Sequence, residues 1–171
     1  PLATTACLLL ATTAAVAEPL EPKKGDHICF VGNTLADRMQ HHGWLETLLT
    51  SRFADKELVF RNLGFSGDEI NTRLRSDNFG SPDEWLAKCK ADVIFAFFGY
   101  NEAQQGEAGR PKFKEQVDAF IKHTLGQKYN GDSAPRLILF SPIAHEDLDD
   151  ANQARGAENN ARLKLYTAAM A

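Results

Sequence analysis

Ala91-Asp-Val-Ile-Phe-Ala-Phe-Phe98, followed at once by Gly99-Tyr100-Asn101-Glu102, is the stretch whose reading decides the fold. Its apolar residues run on without polar alternation, so a strand formed here must be covered on both faces. Strands of that kind belong to parallel sheets enclosed between helices. The glycine and the polar residues behind it stop the strand and open a loop.

Three more runs of this type flank it. His27-Ile-Cys-Phe-Val31 ends in Gly32, Glu57-Leu-Val-Phe-Arg-Asn62 ends before Gly64, and Arg136-Leu-Ile-Leu-Phe140 precedes Ser141. Between them the spacing turns helical. Residues 36 to 53 carry Met39, Trp44, Leu45, Leu48 and Leu49 at helical intervals, which predicts one helix running across Gly43. Ser81-Pro82-Asp-Glu84 supplies an N-cap, a first-turn proline and a capping-box glutamate for a helix to about Lys90. Residues 110 to 126 put Phe113, Val117, Phe120, Ile121 and Leu125 on one side and close at Gly126. Residues 147 to 156 read as a polar loop, and Ala157 begins a last helix. The alternation predicts a three-layer α/β/α domain with a parallel, flavodoxin-like sheet over residues 26–171.

In open sheets of this kind the ligand site lies beyond the carboxyl ends of the strands. That rule singles out Gly32-Asn33-Thr34-Leu35, Gly64-Phe65-Ser66-Gly67-Asp68, Gly99-Tyr100-Asn101-Glu102 and Ser141-Pro142-Ile143-Ala144-His145.

Composition narrows the classes. The chain is 43% hydrophobic with a formal charge of −4 from 19 basic and 23 acidic residues, so no electrostatic footprint for nucleic acid exists. Residues 2–17 are uncharged and apolar or small, and Ala15-Val16-Ala17 forms a small-x-small cleavage pattern. Residues 1–17 therefore read as an export signal lacking its basic start, and 18–25 as a linker. The expected location is periplasmic or extracellular, with no membrane span once the signal is cleaved. The last helical pattern reaches Ala171 without a stop signal, which predicts a domain that continues.

Cys29 and Cys89 make no disulfide framework and no metal signature, and read as small buried hydrophobes. A single bridge between them stays compatible with export. Trp44 and Trp85 read as core or interface anchors. His41 and His42, adjacent on a helix, point about 100° apart and cannot chelate together; His41 is placed near the site and His42 in solvent. His123 reads as a surface residue. His145-Glu-Asp-Leu-Asp-Asp150 lacks the spacing of a calcium loop and reads as a solvated acidic loop.

The ordered clusters resemble the blocks of the SGNH (GDSL-like) hydrolases, with Gly32-Asn33-Thr34-Leu35 first, Ser66-Gly67-Asp68 second and Gly99-Tyr100-Asn101-Glu102 third. The wider text of residues 32–49 and 60–69 is similar to modules that open large secreted bacterial proteins, in which a c-type haem-binding region often follows. No CxxCH occurs in this chain, so no residue here carries a haem, and no cofactor or metal is expected of this domain. The resemblance implies ester hydrolysis, with an esterase or acetylhydrolase acting on small or carbohydrate esters. It implies Thr34 as the nucleophile position, and the Thr34 N–H, the Gly67 N–H and the Asn101 amide as the oxyanion hole. Asn33 and His145 are candidate substrate contacts. Thr34 stands where the family has Ser, Asn33 and Glu102 where it has Asp. No Asp-x-x-His follows within the chain, so residues 1–171 alone should be inactive or weak. The alternatives are a non-catalytic SGNH-like module that binds a glycan or docks a neighbouring domain, and a flavodoxin-like binding domain. The first loop is no glycine-rich phosphate cradle, which disfavours the latter.

Overall fold

The two most apolar strands lie side by side at the centre, as their composition demands. In the computed structural model, which describes residues 19–73, 76–148, 150–153 and 155–171, the sheet order is β2-β1-β3-β4 and every pairing is parallel. The expected export signal, residues 1–17, lies outside the described residues. The elements run β1 (His27–Gly32), α1 (Thr34–Met39), α2 (Trp44–Arg52), β2 (Val59–Asn62), α3 (Pro82–Lys88), β3 (Val93–Phe97), α4 (Gly106–Leu125), β4 (Arg136–Phe140) and α5 (Gly156–Met170).

Alternation along β1 and β3 divides the core into two layers. Cys29, Val31, Ile94, Ala96 and Phe98 face Leu86 of α3, Phe113 and Val117 of α4, and Leu163 and Tyr166 of α5. Ile28, Phe30, Val93, Phe95 and Phe97 face Ala36 of α1 and the partly buried Leu45 and Leu49 of α2. The expected α/β/α sandwich with a parallel sheet is therefore the observed fold. Phe30 stacks on Phe95 at 5.5 Å and Phe97 on Phe140 at 4.5 Å, so rings tie three of the four strands across the second layer.

One expected element is two. Instead of one helix over 36–53, α1 stops at Met39 and α2 starts at Trp44. Gly43 between them sits at φ +58, a left-handed conformation that no continuous helix contains and that glycine adopts without penalty. The break resets the helical phase. Leu45 and Leu49 pack inward, whereas Trp44 is 73% and Leu48 66% exposed, so Trp44 is not a core residue. His41 and His42 fall in the intervening turn, both exposed, rather than on a helix.

The other helix starts follow their signals. Ser81 accepts from the Glu84 N–H while the Glu84 carboxylate accepts from the Ser81 N–H, a complete capping box. The segment before β1 is pinned to the sheet: Pro22 is buried, and Arg136 donates to the Glu21 carbonyl at 2.9 Å and pairs with buried Asp26. Cys29 and Cys89 are unbridged neighbours, and burial, reinforced by Cys89, pushes the Cys29 thiol up to about 12. A thiol in that state is a packing group, not a nucleophile. No helix among the described residues is long and apolar enough to cross a membrane.

At the end of β1, Gly32 has φ +141, and a Cβ there would lie 2.3 Å from the Phe97 carbonyl oxygen. Gly32→Ala should therefore wedge β1 from β3 and cost about 1–3 kcal/mol. Urea unfolding should show a lower midpoint with an unchanged slope; an unaltered midpoint would contradict this packing.

Candidate active site

The site is assembled by the loops that leave the carboxyl ends of the strands. Asn33 follows β1 directly. Its N–H donates to the Phe97 carbonyl at 3.1 Å, one step past the strand, and its own carbonyl accepts the Asp37 N–H at 3.0 Å, which starts α1. The Asn33 side chain caps α1 through Leu35 N–H at 3.5 Å, and its Nδ2, on a residue only 3% exposed, has no partner among the described residues. Thr34 opens α1 and is exposed. Its N–H belongs to the first turn, whose amides have no carbonyl partner within the helix.

The loop after β2 is fastened to this helix. The Asn62 amide donates to the Ala36 carbonyl at 2.7 Å, and Phe65 N–H donates to the Gly32 carbonyl at 2.9 Å. The Ser66 hydroxyl donates to the Asp37 carboxylate and holds that carboxyl below its ordinary range. Gly67 follows, exposed, with open space on the side where a Cβ would project.

The loop after β3 is stitched to the same segment. Glu102 is 2% exposed; its two carboxylate oxygens accept Ile70 N–H at 2.8 Å and Gly99 N–H at 2.9 Å. Burial raises this carboxyl, against the opposing pull of those backbone donors. Asn101 donates from Nδ2 to the Asp68 carbonyl at 3.2 Å. Gly67 thus stands between Ser66, tied to α1, and Asp68, tied to Asn101.

The loop after β4 forms the opposite wall of a cleft of about 460 Å³. Thr34, Asn33, Leu35, Arg38, Tyr100 and residues 140–146 line it, with Phe97 and Phe98 behind. His145 is held in this wall by α5. Its backbone N–H donates to Asn160 Oδ1 at 2.7 Å and its carbonyl accepts from Asn160 Nδ2 at 2.9 Å.

Of the residues singled out from sequence, Asn33, Thr34 and His145 therefore share one cleft. Gly67 and Asn101 flank it on neighbouring loops without lining it. His41 does not line the cleft, and His123 pairs with Asp83 at 2.8 Å on the surface of α4. Glu146, Asp147 and Asp150 are exposed, and no metal-sized cluster of ligands occurs among the described residues. Arg38, Tyr100, Asn159 and Asn160 belong to the site without having been singled out. Tyr100 was within reach, because it sits inside a strand-end cluster. The α5 asparagines carry no sequence signal, since their partner His145 meets them only in the folded chain.

No protein-family model and no curated protein sequence matches the chain. Solved structures do. An α/β-hydrolase enzyme, LAE5, from the metagenome of Lake Arreo superimposes with a TM-score of 0.60 at 16% identity, over 86% of this chain and 72% of that one. An acetylxylan esterase from Geobacillus stearothermophilus gives 0.59 at 12% identity, over 88% and 74%. A protein from Parabacteroides merdae described as a GDSL-like lipase gives 0.55 at 16%, over 88% and 76%. The fold is that of the SGNH-type hydrolases. In this domain residues 33–35, 64–68 and 99–102 leave the carboxyl ends of β1, β2 and β3.

Glu102→Ala strands two buried N–H groups, each worth about 1–3 kcal/mol when unsatisfied. A substantially lower unfolding midpoint is expected. The sign with pH follows from the raised carboxyl. Above the ordinary value of 4.5 the unfolded chain releases its proton before the folded one does, so this group's contribution falls as pH rises toward the folded value. The wild-type advantage over the variant should narrow across that window. An advantage that widens with pH would contradict the buried clamp.

Proposed function

We propose that this domain carries the nucleophile of an exported SGNH-type hydrolase that cleaves small or carbohydrate esters, acetyl esters foremost. One observation carries the reading: the exposed Thr34 hydroxyl opens α1 in a cleft at the carboxyl ends of the strands. Support comes from structural neighbours that include an acetylxylan esterase and a protein described as a GDSL-like lipase.

In this reading the Thr34 oxygen attacks the ester carbonyl carbon. The oxyanion that forms takes hydrogen bonds from the Thr34 N–H, the Gly67 N–H and Asn101 Nδ2. One of the two Nδ2 hydrogens is used on the Asp68 carbonyl, which aims the amide and leaves the other for the oxyanion. Each such donor is worth roughly 3–4 kcal/mol of barrier. The alcohol leaves, and water then releases the acyl group from Thr34. Asn33, with its unpartnered Nδ2 beside the cleft, is a donor for a substrate oxygen. Leu35, Phe140, Pro142 and Ile143 supply the apolar wall against which an acetyl group and one face of a sugar ring can rest.

The step needs a base. Among the described residues no hydrogen bond joins Thr34 to a histidine, and the reading requires the base from an Asp-x-x-His block of the kind the resemblance implies. Residues 1–17 act as a cleaved export signal, and the domain works outside the cytoplasm. The unpaired Thr34 also favours a second reading, a glycan-binding module that keeps the fold without turnover.

A protein that carries this domain together with such a histidine block should hydrolyse p-nitrophenyl acetate and acetylated xylo-oligosaccharides. Thr34→Ala should lower the rate roughly a thousandfold or more, and Thr34→Ser should keep it. Hydrolysis that survives Thr34→Ala contradicts the nucleophile. Sugar retention without hydrolysis selects the binding module.

A further inference from the structure

His145 is tethered through a chain of hydrogen bonds whose direction is set at its far end by Arg162. Arg162 Nη2 lies 3.2 Å from Asn159 Oδ1, and a guanidinium only donates, so that atom of Asn159 is the oxygen. Gln104 Nε2 reaches the same oxygen at 3.3 Å. Asn159 is 2% exposed, so its amide cannot turn over without leaving these donors unpaired. Its other end is therefore the NH2 group, and this lies 3.1 Å from Nδ1 of His145. The same NH2 donates to the Tyr100 hydroxyl at 3.4 Å, and that hydroxyl sits 3.4 Å from Nδ1.

The Asn159 NH2 group, which has no lone pair to offer, thus donates to Nδ1, and the Tyr100 hydroxyl follows whichever role the ring leaves it. Nδ1 must offer a lone pair, and the neutral ring must carry its proton on Nε2. A ring in that tautomer gives an N–H and takes none, so Nε2 cannot accept the proton of an attacking hydroxyl. Asn160 meanwhile clamps both backbone groups of residue 145, which keeps the ring in the cleft wall.

We infer that His145 is a substrate-positioning hydrogen-bond donor, set in the Nε2–H form by Arg162 acting through Asn159, and that it takes an uncharged oxygen on the alcohol side of the ester. The substrate part of this inference rests on the ester-hydrolase reading; the tautomer does not. A sugar hydroxyl or ring oxygen, adjacent to an acyl group held at Thr34, has the acceptor this N–H requires. Donor and nucleophile stand on opposite walls of the same cleft, so one acetylated sugar could touch both.

The test is long-range 1H–15N spectroscopy of the full chain labelled with 15N-histidine, at about pH 8, where ordinary imidazoles are neutral. The His145 signals are identified by their loss in His145→Gln. Expected are an unprotonated Nδ1, a protonated Nε2, and a shift of Nε2 alone on adding an acetylated xylo-oligosaccharide. Asn159→Asp replaces the donor with an acceptor and should move the proton to Nδ1. A wild-type ring protonated on Nδ1, or an Nε2 that does not respond to the sugar, overturns the inference. In turnover, His145→Ala should raise KM about tenfold with a smaller effect on kcat, and His145→Gln, which keeps an N–H donor, should restore KM. A thousandfold fall in kcat at unchanged KM would make His145 the base and overturn it too. If no ester is hydrolysed by the wild type, the esterase reading falls, while the tautomer and the sugar response still decide the role of His145.

Discussion

The close pairing of β1 with β3 is the constraint on which everything else depends. The two strands are buried on both faces, and their register brings Gly32 level with Phe97. The contact is so tight that the Asn33 N–H extends the ladder one residue beyond the strand. The loops carrying Thr34 and Asn101 therefore leave the sheet from adjacent points at the same height. A slip of one residue would reverse every side chain on one strand and drive Phe30 or Phe95 into the opposite layer, which is packed around Cys29, Ile94 and Ala96. Burial of these rings, each worth roughly 1.5–3 kcal/mol, fixes the geometry of the cleft more firmly than any polar contact within it.

Polar groups then refine what the strands place. Three fasteners join the first, second and third loops: Asp37 with Ser66, Asn62 with Ala36, and Glu102 with Ile70 and Gly99. None of them faces the cleft, and each uses a buried or half-buried side chain to satisfy groups that would otherwise be orphaned. A fourth set, from α5, does the same for the loop after β4. The cleft wall is thus set by side chains from beneath it, with the lining residues free to meet a ligand.

Much of this was legible in the sequence, for physical reasons that can be named. Apolar runs with no alternation forced the buried parallel sheet, and Ser81-Pro82-Asp-Glu84 announced a helix start whose capping box is complete. The rule that ligands bind beyond strand carboxyl ends placed Thr34 and His145 in one cleft. Gly43 misled, because periodicity on both sides of it matched a single helix, and only its left-handed backbone shows that the phase changes there. Trp44 and Leu48 face solvent as a result. The role of Glu102 was also hidden. A carboxylate between Asn101 and Ala103 looks like a surface charge until Ile70, thirty-two residues earlier, is brought to it. Asn159 and Arg162 could not be connected to His145 by any periodic pattern, because His145 lies outside the helix that carries them.

The central claim is that the Thr34 oxygen is the group that takes up the acyl chain. Incubating a protein that carries this domain together with its histidine block with a reactive acyl-transfer probe, such as a fluorophosphonate, and mapping the adduct by peptide mass spectrometry tests it most directly. The account predicts a single modification on Thr34, absent from the Thr34→Ala variant and reduced when an acetylated xylo-oligosaccharide is present. Modification of another residue at equal yield in that variant, or none in a chain that hydrolyses esters, would contradict it.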